Sequence, residues 1–197
     1  MEPAAARDDR VLVQRLRRGD RDAFRELYAR YAQPTFGFLA RLCGARDRAE
    51  DLHQETWLAV ARNAARLDPD SDLGAWIFMI ARNQFRSARR SLARGRARES
   101  SPAPAPLAAE PLDDPGARDL EKALQALPAP HREILLLVGV EGLTTERAAA
   151  VLDLRPDAAR QRLARARAAL AERLTTSQAL LDLGSPATTT TAKRGAR

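Results

Sequence analysis

The sequence has very few of the residues that build disulfide frameworks or metal sites. Cys43 is the only cysteine among 197 residues, and His53 and His131 are the only histidines. One thiol excludes an internal disulfide, and the two histidines lie too far apart in sequence for zinc-ligand spacing. A phosphate-cradling glycine loop and a catalytic triad pattern are also missing. We therefore expect no cofactor, no metal site and no enzymatic activity.

Long apolar runs are missing as well. No stretch approaches the roughly 18 consecutive apolar residues of a membrane span. Residues 1–9 (MEPAAARDD) contain no apolar core of the kind found in signal peptides. We therefore expect no membrane insertion, and we expect the protein to stay in the cytoplasm.

Aromatic residues are scarce, at 5% of the chain, whereas hydrophobic residues make up an ordinary 45%. The apolar content consists largely of Ala and Leu, which favour helices over strands. The composition therefore predicts an all-α protein.

Positive charge is in excess, and almost all of it is arginine. Lys plus Arg number 33 against 26 Asp plus Glu, and only Lys122 and Lys193 are lysines. Arginine grips phosphates and guanine edges with two hydrogen bonds, which favours a polyanionic partner. A GC-rich genome also raises arginine content, so composition alone leaves both explanations open.

Breaks in the helical periodicity divide the chain into two small domains. Residues 94–117 are rich in Pro and Ala and predict a flexible linker, because such a segment forms no packed core. Low complexity indicates a disordered tail over residues 175–197, and we expect residues 1–8 to be disordered too. The expected helical domains are residues 9–93 and 118–174.

In the first domain, one helical stripe is interpreted as core and contains Phe24, Leu27, Tyr28 and Tyr31. Pro34 is expected to interrupt that helix.

The helix of residues 48–66 has two faces. Its core face is predicted to contain Leu52, Thr56, Ala59, Val60 and Asn63, and its other face Asp51, Gln54, Glu55 and Leu58. A leucine within polar residues suggests a protein-binding patch, although lone surface leucines are common.

The helix of residues 73–93, which Asp72 or Ser71 is expected to cap, has an apolar arc and a basic arc. An arc without acidic residues predicts binding to a phosphate backbone. Phe78 and Phe85 lie between the arcs, where base stacking is conceivable, but burial in the core is the stronger interpretation. The basic arc is predicted to contain Arg82, Asn83, Arg86, Arg89 and Arg90.

The second domain predicts a helix-turn-helix. Thr144 is a good N-cap for a short helix ending near Leu152, and Pro156 is well placed to begin the last helix after a tight turn. Ala159 and Leu163 belong to the inward stripe of that last helix. The outward residues near its start carry side chains that can read bases or hold phosphates, and they include Arg160, Gln161 and Arg165.

From residue 8 to residue 174 the order of these features resembles the extracytoplasmic-function sigma factors of bacterial RNA polymerase. In the first domain the resemblance lies in residues 22–28 (DAFRELY), 49–57 (AEDLHQETW) and 76–83 (WIFMIARN). In the second domain it lies in residues 124–128 (LQALP), 141–144 (EGLT) and 162–167 (RLARAR).

The resemblance implies an alternative sigma factor that binds core RNA polymerase, melts promoter DNA and directs transcription initiation, and an anti-sigma factor is a further possible partner. Polymerase would be bound through its clamp helices by Asp51, Gln54, Glu55 and Leu58. The promoter element near the start site would be contacted by Asn83, Arg86, Arg89 and Arg90, and the loop of residues 67–72 would hold a flipped base. The upstream element, about three helical turns away, would be bound by Arg160, Gln161, Arg162 and Arg165.

The last helix departs from the family pattern. Residues 157–162 read DAARQR where the family usually has GTVKSR, and Asp153 replaces the usual turn glycine. The lost hydroxyls remove phosphate contacts. This departure motivates an alternative, in which a sigma-like regulatory protein binds a protein partner instead of promoter DNA.

Overall fold

The computed structural model describes residues 4–96 and 115–184, with side chains described for 9–94 and 116–175. Within them the fold is all-α and contains no strand, which confirms the predicted class of two helical domains. None of the described helices is long and apolar enough to cross a membrane. The helices are α1 (Ala4–Arg17), α2 (Arg21–Cys43), α3 (Arg46–Asn63), α4 (Leu73–Arg96), α5 (Pro115–Gln125), α6 (Ala129–Leu135), α7 (Thr145–Leu152) and α8 (Pro156–Gly184).

Helices extend into the segments that were predicted to lack structure. Helix α1 already begins at Ala4, α4 continues to Arg96, and α5 begins at Pro115. Helix α8 continues to Gly184, well beyond the predicted start of the tail at residue 175. The remaining parts of these predicted segments, residues 1–3, 97–114 and 185–197, lie outside the described residues.

The prediction that Pro34 interrupts the first long helix is wrong. Helix α2 runs through Pro34 as one element and ends at Cys43, after which Gly44 adopts a left-handed conformation with φ +63°. A proline removes one backbone hydrogen bond, but buried residues on both sides, Leu27 and Phe38 among them, anchor the helix in the core. The Thr35 hydroxyl adds a hydrogen bond to the Tyr31 carbonyl at 2.5 Å. Tertiary packing thus outweighs the local cost of the proline.

The helix-turn-helix in the second domain is as predicted. The Thr144 side chain accepts a hydrogen bond from the Arg147 backbone N–H at 3.2 Å and so caps α7. Asp153 ends α7 with φ +53°, a left-handed conformation that Asp tolerates better than most residues. Pro156 is the first residue of α8. The turn therefore keeps its geometry although glycine is missing.

Two apolar cores hold the described helices together. One lies within the first domain and joins α1, α2, α3 and α4 through residues such as Leu12, Leu27 and Ile77. The other is shared by both domains, because Phe38 and Phe85 of the first domain pack in the same cluster as residues of α6, α7 and α8. Phe78 also lies in the shared core, so the interpretation of both phenylalanines as core residues is confirmed.

Candidate nucleic-acid and partner-binding surfaces

Four side chains of α3 form an exposed surface, which we call the α3 patch: Asp51, Gln54, Glu55 and Leu58. Leu58 is 48% exposed, a large value for a leucine within an ordered helix. The opposite side of α3 is buried as predicted, except that Asn63 is exposed and donates to the Ala59 carbonyl at 2.8 Å. Because the opposite face of α3 is buried, the α3 patch points to solvent on a rigid helix.

An aromatic cluster beside the α3 patch was not predicted as part of a surface. Tyr28, interpreted from sequence as core, is 45% exposed, and its ring lies 4.7 Å from that of Trp57. Trp57 donates from its indole Nε1 to His53 Nε2 at 2.9 Å, and the same ring nitrogen lies 3.0 Å from the Ala32 carbonyl. Burial lowers the pKa of His53. Because Trp57 is adjacent to Gln54 on the helix, Tyr28 extends the exposed surface toward α2. The sequence signal that could have revealed this exposure is the position of Tyr28, an aromatic residue at the edge of the apolar stripe of α2.

The basic surface of α4 is formed by Asn83, Arg86, Arg89 and Arg90, which we call the basic arc. All four are exposed, and among the described residues no acidic side chain forms an ion pair with its arginines. The Arg89 guanidinium lies 5.7 Å from the centre of the Phe85 ring, which holds it beside the apolar core. The surface therefore carries uncompensated positive charge.

Arg82 does not belong to this surface, contrary to the prediction. It is only 5% exposed, and its Nε donates to Glu133 Oε2 of α6 at 2.9 Å. Helical spacing placed Arg82 correctly opposite the Leu73 side of α4. What the spacing could not show is that the second domain covers this part of the helix.

A cleft of about 410 Å³ lies where the loop of residues 67–72 meets α4. Asp68 stabilises the loop by accepting from the Asp70 backbone N–H at 2.9 Å. The cleft combines polar and aromatic groups and is lined by Asn63, Arg66, Leu67, Asp68, Ser71, Trp76, Met79 and Ile80.

The last residue of this loop, Asp72, has two roles. Its Oδ1 accepts from the Ala75 backbone N–H at 3.0 Å, so Asp72 caps α4 as predicted. The same carboxylate also accepts two hydrogen bonds from Arg147 of the second domain. Partial burial acts to raise the pKa of Asp72, but the hydrogen bonds from Arg147 and the backbone outweigh it and lower the pKa. Asp72 thus remains a carboxylate at neutral pH.

The outer face of α8 contains the remaining predicted residues, Arg160, Gln161, Arg162 and Arg165. Three of them are exposed and Arg162 is half-buried, while Ala159 and Leu163 face the core as expected. Arg160 bonds to Asp157 at 2.5 Å and to Glu146 at 3.3 Å. Arg165 lies 3.4 Å from the Gln161 carbonyl and 3.5 Å from its side-chain oxygen. This face therefore carries polar groups that already have partners.

Two family models match the chain, and together they cover both domains. Residues 27–95 match the model of Sigma-70 region 2, which includes the α3 patch and the basic arc. Residues 117–170 match the model of Sigma-70, region 4, which includes the helix-turn-helix.

Individual relatives and solved structures agree with those matches. The chain is 39% identical over 153 residues to the RNA polymerase sigma factor CarQ of Myxococcus xanthus, covering 76% of this chain and 88% of that protein. It is 38% identical to the ECF RNA polymerase sigma factor EcfG of Rhodopseudomonas palustris, covering 68% and 75%. The sigma factor RpoE, solved with the anti-sigma factor NepR from Bartonella quintana, superposes with a TM-score of 0.67 and 31% identity, covering 77% and 96%. CnrH, solved with the cytosolic domain of CnrY, gives 0.63 and 28%, covering 90% and 99%.

Proposed function

Because this chain belongs to the extracytoplasmic-function sigma factors, which bind core RNA polymerase and direct it to promoters, we propose that the α3 patch is its main polymerase contact. The observation that carries this assignment is the exposure of Leu58 within polar side chains on a helix whose other face is buried. An apolar centre with a polar rim is the usual anatomy of a protein interface. The partner surface would be the clamp helices of the largest polymerase subunit.

This assignment is tested by the triple variant Gln54→Ala, Glu55→Lys, Leu58→Asp in the full chain. All three side chains are exposed, so the circular dichroism spectrum should not change while affinity for core polymerase is lost. Asp119→Asn on α5 makes the same net change in charge elsewhere and serves as the control. A triple variant with the affinity of the parent would contradict the assignment.

We propose that the basic arc binds the promoter element nearest the start site. Its arginines have no acidic partners among the described residues, so phosphates can pair with them without breaking existing ion pairs. The adjacent cleft at residues 67–72 is large enough for one unpaired base, and Trp76 provides an aromatic surface beside it. This arrangement supports capture of a flipped base next to a phosphate-binding helix.

We also propose that the outer face of α8 binds the upstream promoter element, about three helical turns away. The start of the second helix of a helix-turn-helix enters the major groove, and Gln161 is exposed there. The left-handed turn at Asp153 supports this proposal, because the replaced glycine leaves the helix-turn-helix geometry intact.

In this function the chain contributes binding free energy, and the polymerase forms the phosphodiester bonds. The chain would act in the cytoplasm, together with the polymerase. A role as a sigma-like regulator that avoids DNA is not favoured, because both family models and the similar sigma factors point to promoter recognition. The sigma factor RpoE was solved in complex with an anti-sigma factor, and we propose a partner of that class for this chain.

A further inference from the structure

We propose that Tyr28 extends the polymerase-binding surface beyond the α3 patch, and that His53 acts as a positioning residue for it. His53 acts through Trp57, because one ring nitrogen of the histidine faces both the Trp57 indole and the Ala32 carbonyl. The extension rests on the proposed function of the α3 patch. The arrangement around His53 is a property of the free protein and can be measured without polymerase.

Tyr28 lies on α2 beside the α3 patch. It is 45% exposed, and its ring centre lies 4.7 Å from that of Trp57, on the side of α3 that faces α2. Trp57 itself is buried and lies one helical turn from Gln54 of the patch. A partner helix lying on the α3 patch would therefore meet Tyr28 at the edge nearest α2.

The charges of the α3 patch define the partner that this surface fits. Asp51 and Glu55 are exposed, and neither forms an ion pair within the described residues. A surface with two unpaired carboxylates and an exposed aromatic ring fits a helix that carries arginine, because a guanidinium pairs with carboxylates and also packs on aromatic faces. We therefore expect an arginine-bearing segment of the polymerase at Tyr28.

The position of the Tyr28 ring depends on Trp57, which is held from more than one side. Phe24 meets the Trp57 ring edge to face, with the ring centres 6.0 Å apart. The indole Nε1 donates to His53 Nε2 at 2.9 Å. Because an indole N–H is a donor only, a buried tryptophan requires an acceptor. His53 is the acceptor that the described residues provide.

The same nitrogen of His53 lies 3.0 Å from the Ala32 carbonyl, and the two contacts make opposite demands on it. A bare Nε2 accepts from the Trp57 indole, whereas a protonated Nε2 donates to the carbonyl. Ala32 lies inside α2, where its carbonyl can accept the helical hydrogen bond from the Phe36 N–H. The Trp57 indole has no such alternative among the described residues, so a bare Nε2 is the arrangement that satisfies both groups.

The groups that face His53 are rings of α2 and α3. Tyr28, whose phenol is the titratable group on this side, and Phe36 approach from α2, with ring centres 6.5 and 5.6 Å from that of the histidine. The charged residues at the edge of this cluster are Arg46, whose guanidinium lies 5.9 Å from the centre of the Phe36 ring, and its ion-pair partner Glu50. Within the part of the chain that the structure describes, no carboxylate bonds to the His53 ring.

Protonation of His53 would remove the acceptor of Trp57. Burial lowers the pKa of His53, so the neutral ring predominates at neutral pH and takes up a proton only at a pH below that of an ordinary histidine. A protonated ring donates from both nitrogens, so its Nε2 bonds to the Ala32 carbonyl and opposes the indole N–H. Acid should therefore separate Trp57 from its acceptor and loosen Tyr28.

The positioning role is tested on the free, full-length protein by proton–nitrogen NMR spectra of the tryptophan indoles. Trp57 and Trp76 are the only tryptophans, so there are two indole signals, which the variant Trp76→Phe assigns. The Trp57 signal should shift between about pH 7.5 and about pH 5.5, with a midpoint below that of an ordinary histidine, and the Trp76 signal should not follow this midpoint. A Trp57 signal without this response would overturn the role of His53.

His53→Gln is the conservative variant for this test. The glutamine amide can accept from Trp57 through its oxygen and donate to the Ala32 carbonyl through its nitrogen, and it does not titrate. The Trp57 signal should therefore lose its pH response in this variant. His131→Gln, the same change at the other histidine, should leave the response intact. A Trp57 signal that still titrates in His53→Gln would contradict the assignment.

The extension itself is tested by binding of full-length variants to core polymerase. Tyr28→Leu should weaken binding by roughly five- to tenfold, because leucine covers Trp57 but lacks an aromatic face, and Tyr28→Phe should stay within about twofold of the parent. Val11→Ala shortens another exposed apolar side chain, on α1, and should not change the affinity. Parent affinity in Tyr28→Leu, or equal losses for Leu and Phe, would overturn the aromatic contact.

The pH dependence of polymerase binding joins the two parts. Relative to His53→Gln, the parent should lose affinity between about pH 7.5 and about pH 5.5, by no more than the roughly five- to tenfold that Tyr28 contributes. Comparing the two proteins at each pH cancels the titration of other groups, including Glu141, whose pKa is raised by burial to about 7. Parallel pH profiles would overturn the positioning role.

Failure of the extension can be distinguished from failure of the proposed function. If the triple variant of the α3 patch loses affinity and Tyr28→Leu does not, only the extension is wrong. If the triple variant keeps the parent's affinity, the proposed function is wrong and the extension falls with it. The indole spectra decide the arrangement of His53 in either case, because they require no polymerase.

Discussion

The basic arc of α4 and the outer face of α8 differ in how their charges are compensated. The arginines of the basic arc form no ion pair with the described residues, whereas Arg160 on α8 contacts both Asp157 and Glu146. Arginines without an acidic partner attract any phosphate backbone. The paired arginine and the exposed Gln161 of α8 attract a phosphate backbone less, and their binding to DNA depends more on the geometry of the contact. The comparison suggests that α4 supplies affinity and α8 supplies selection of sequence.

Neutralising the basic arc should have the largest effect. The triple variant Arg86→Ala, Arg89→Ala, Arg90→Ala removes up to three phosphate contacts. Each lost contact should reduce the slope of log K against log salt concentration by roughly 0.7–0.9. Between 50 and 200 mM salt the parent holoenzyme should therefore lose about thirtyfold more promoter affinity than the variant. Open-complex formation measured at both salt concentrations tests this.

The matched control for the basic arc is Arg17→Ala, Arg18→Ala, Arg25→Ala, which removes three exposed arginines of α1, α2 and the turn between them. Promoter melting by the control variant should equal that by the parent at both salt concentrations. If the basic-arc variant also melts promoters like the parent at moderate salt, its arginines are ordinary solvated charges.

Gln161→Ala should have a narrower effect. Loss of a bidentate base contact costs about 1–3 kcal/mol at one base pair and relaxes the preference there, without a change in salt dependence. Binding to a library of upstream elements at two salt concentrations measures both quantities. Should the variant keep the parent's preference at every position, Gln161 does not read a base.

Arg165→Ala and Arg160→Ala compare two arginines of the same helix: Arg165 contacts only the neutral Gln161, whereas Arg160 pairs with two carboxylates. Each should weaken binding to all upstream sequences alike and lower the salt slope by about 1 if it holds a phosphate. The effect of Arg160→Ala should be the smaller of the two, because Arg160 must give up its contacts with Asp157 and Glu146 to bind DNA. Equal losses for both variants would show that prior pairing does not matter here.

Asp157→Asn should have the smallest effect and the opposite sign. Removing this carboxylate leaves Arg160 with only its longer contact to Glu146 and lowers the negative potential at the start of α8. Affinity for all DNA sequences should therefore rise slightly, by no more than about 1 kcal/mol. The helix itself should become slightly less stable, because Asp in the first turn interacts favourably with the helix dipole. Titration with upstream DNA and thermal unfolding measure the two changes, and weaker DNA binding would contradict the charge argument.

Local chemistry made parts of the fold predictable. Thr144 and Asp72 cap their helices because each has a short oxygen-bearing side chain just before an apolar-periodic segment. The buried and exposed sides of α3 follow from helical spacing, apart from Asn63 in its last turn. The candidate surfaces could be assigned for the same reason, since one face of an amphipathic helix must point to solvent.

The errors occurred where neighbouring elements overrule local preference. Pro34 disfavours a helix interior, but the core on both sides of it keeps α2 continuous. Tyr28 lies on the apolar stripe of α2, yet it remains largely exposed and its ring meets that of Trp57 edge to face. Neither outcome can be read from the segment alone.

The sequence by itself determined that both domains are helical, where α4, α7 and α8 begin, and most of the faces that carry charge, because these depend on contacts within a few positions. Only the tertiary structure decided that the second domain packs on α4. That packing buries Arg82 against Glu133 and separates it from the basic arc to which its spacing assigned it. Periodicity specifies the direction of a side chain, but whether water or another domain lies in that direction depends on contacts between residues far apart in the chain.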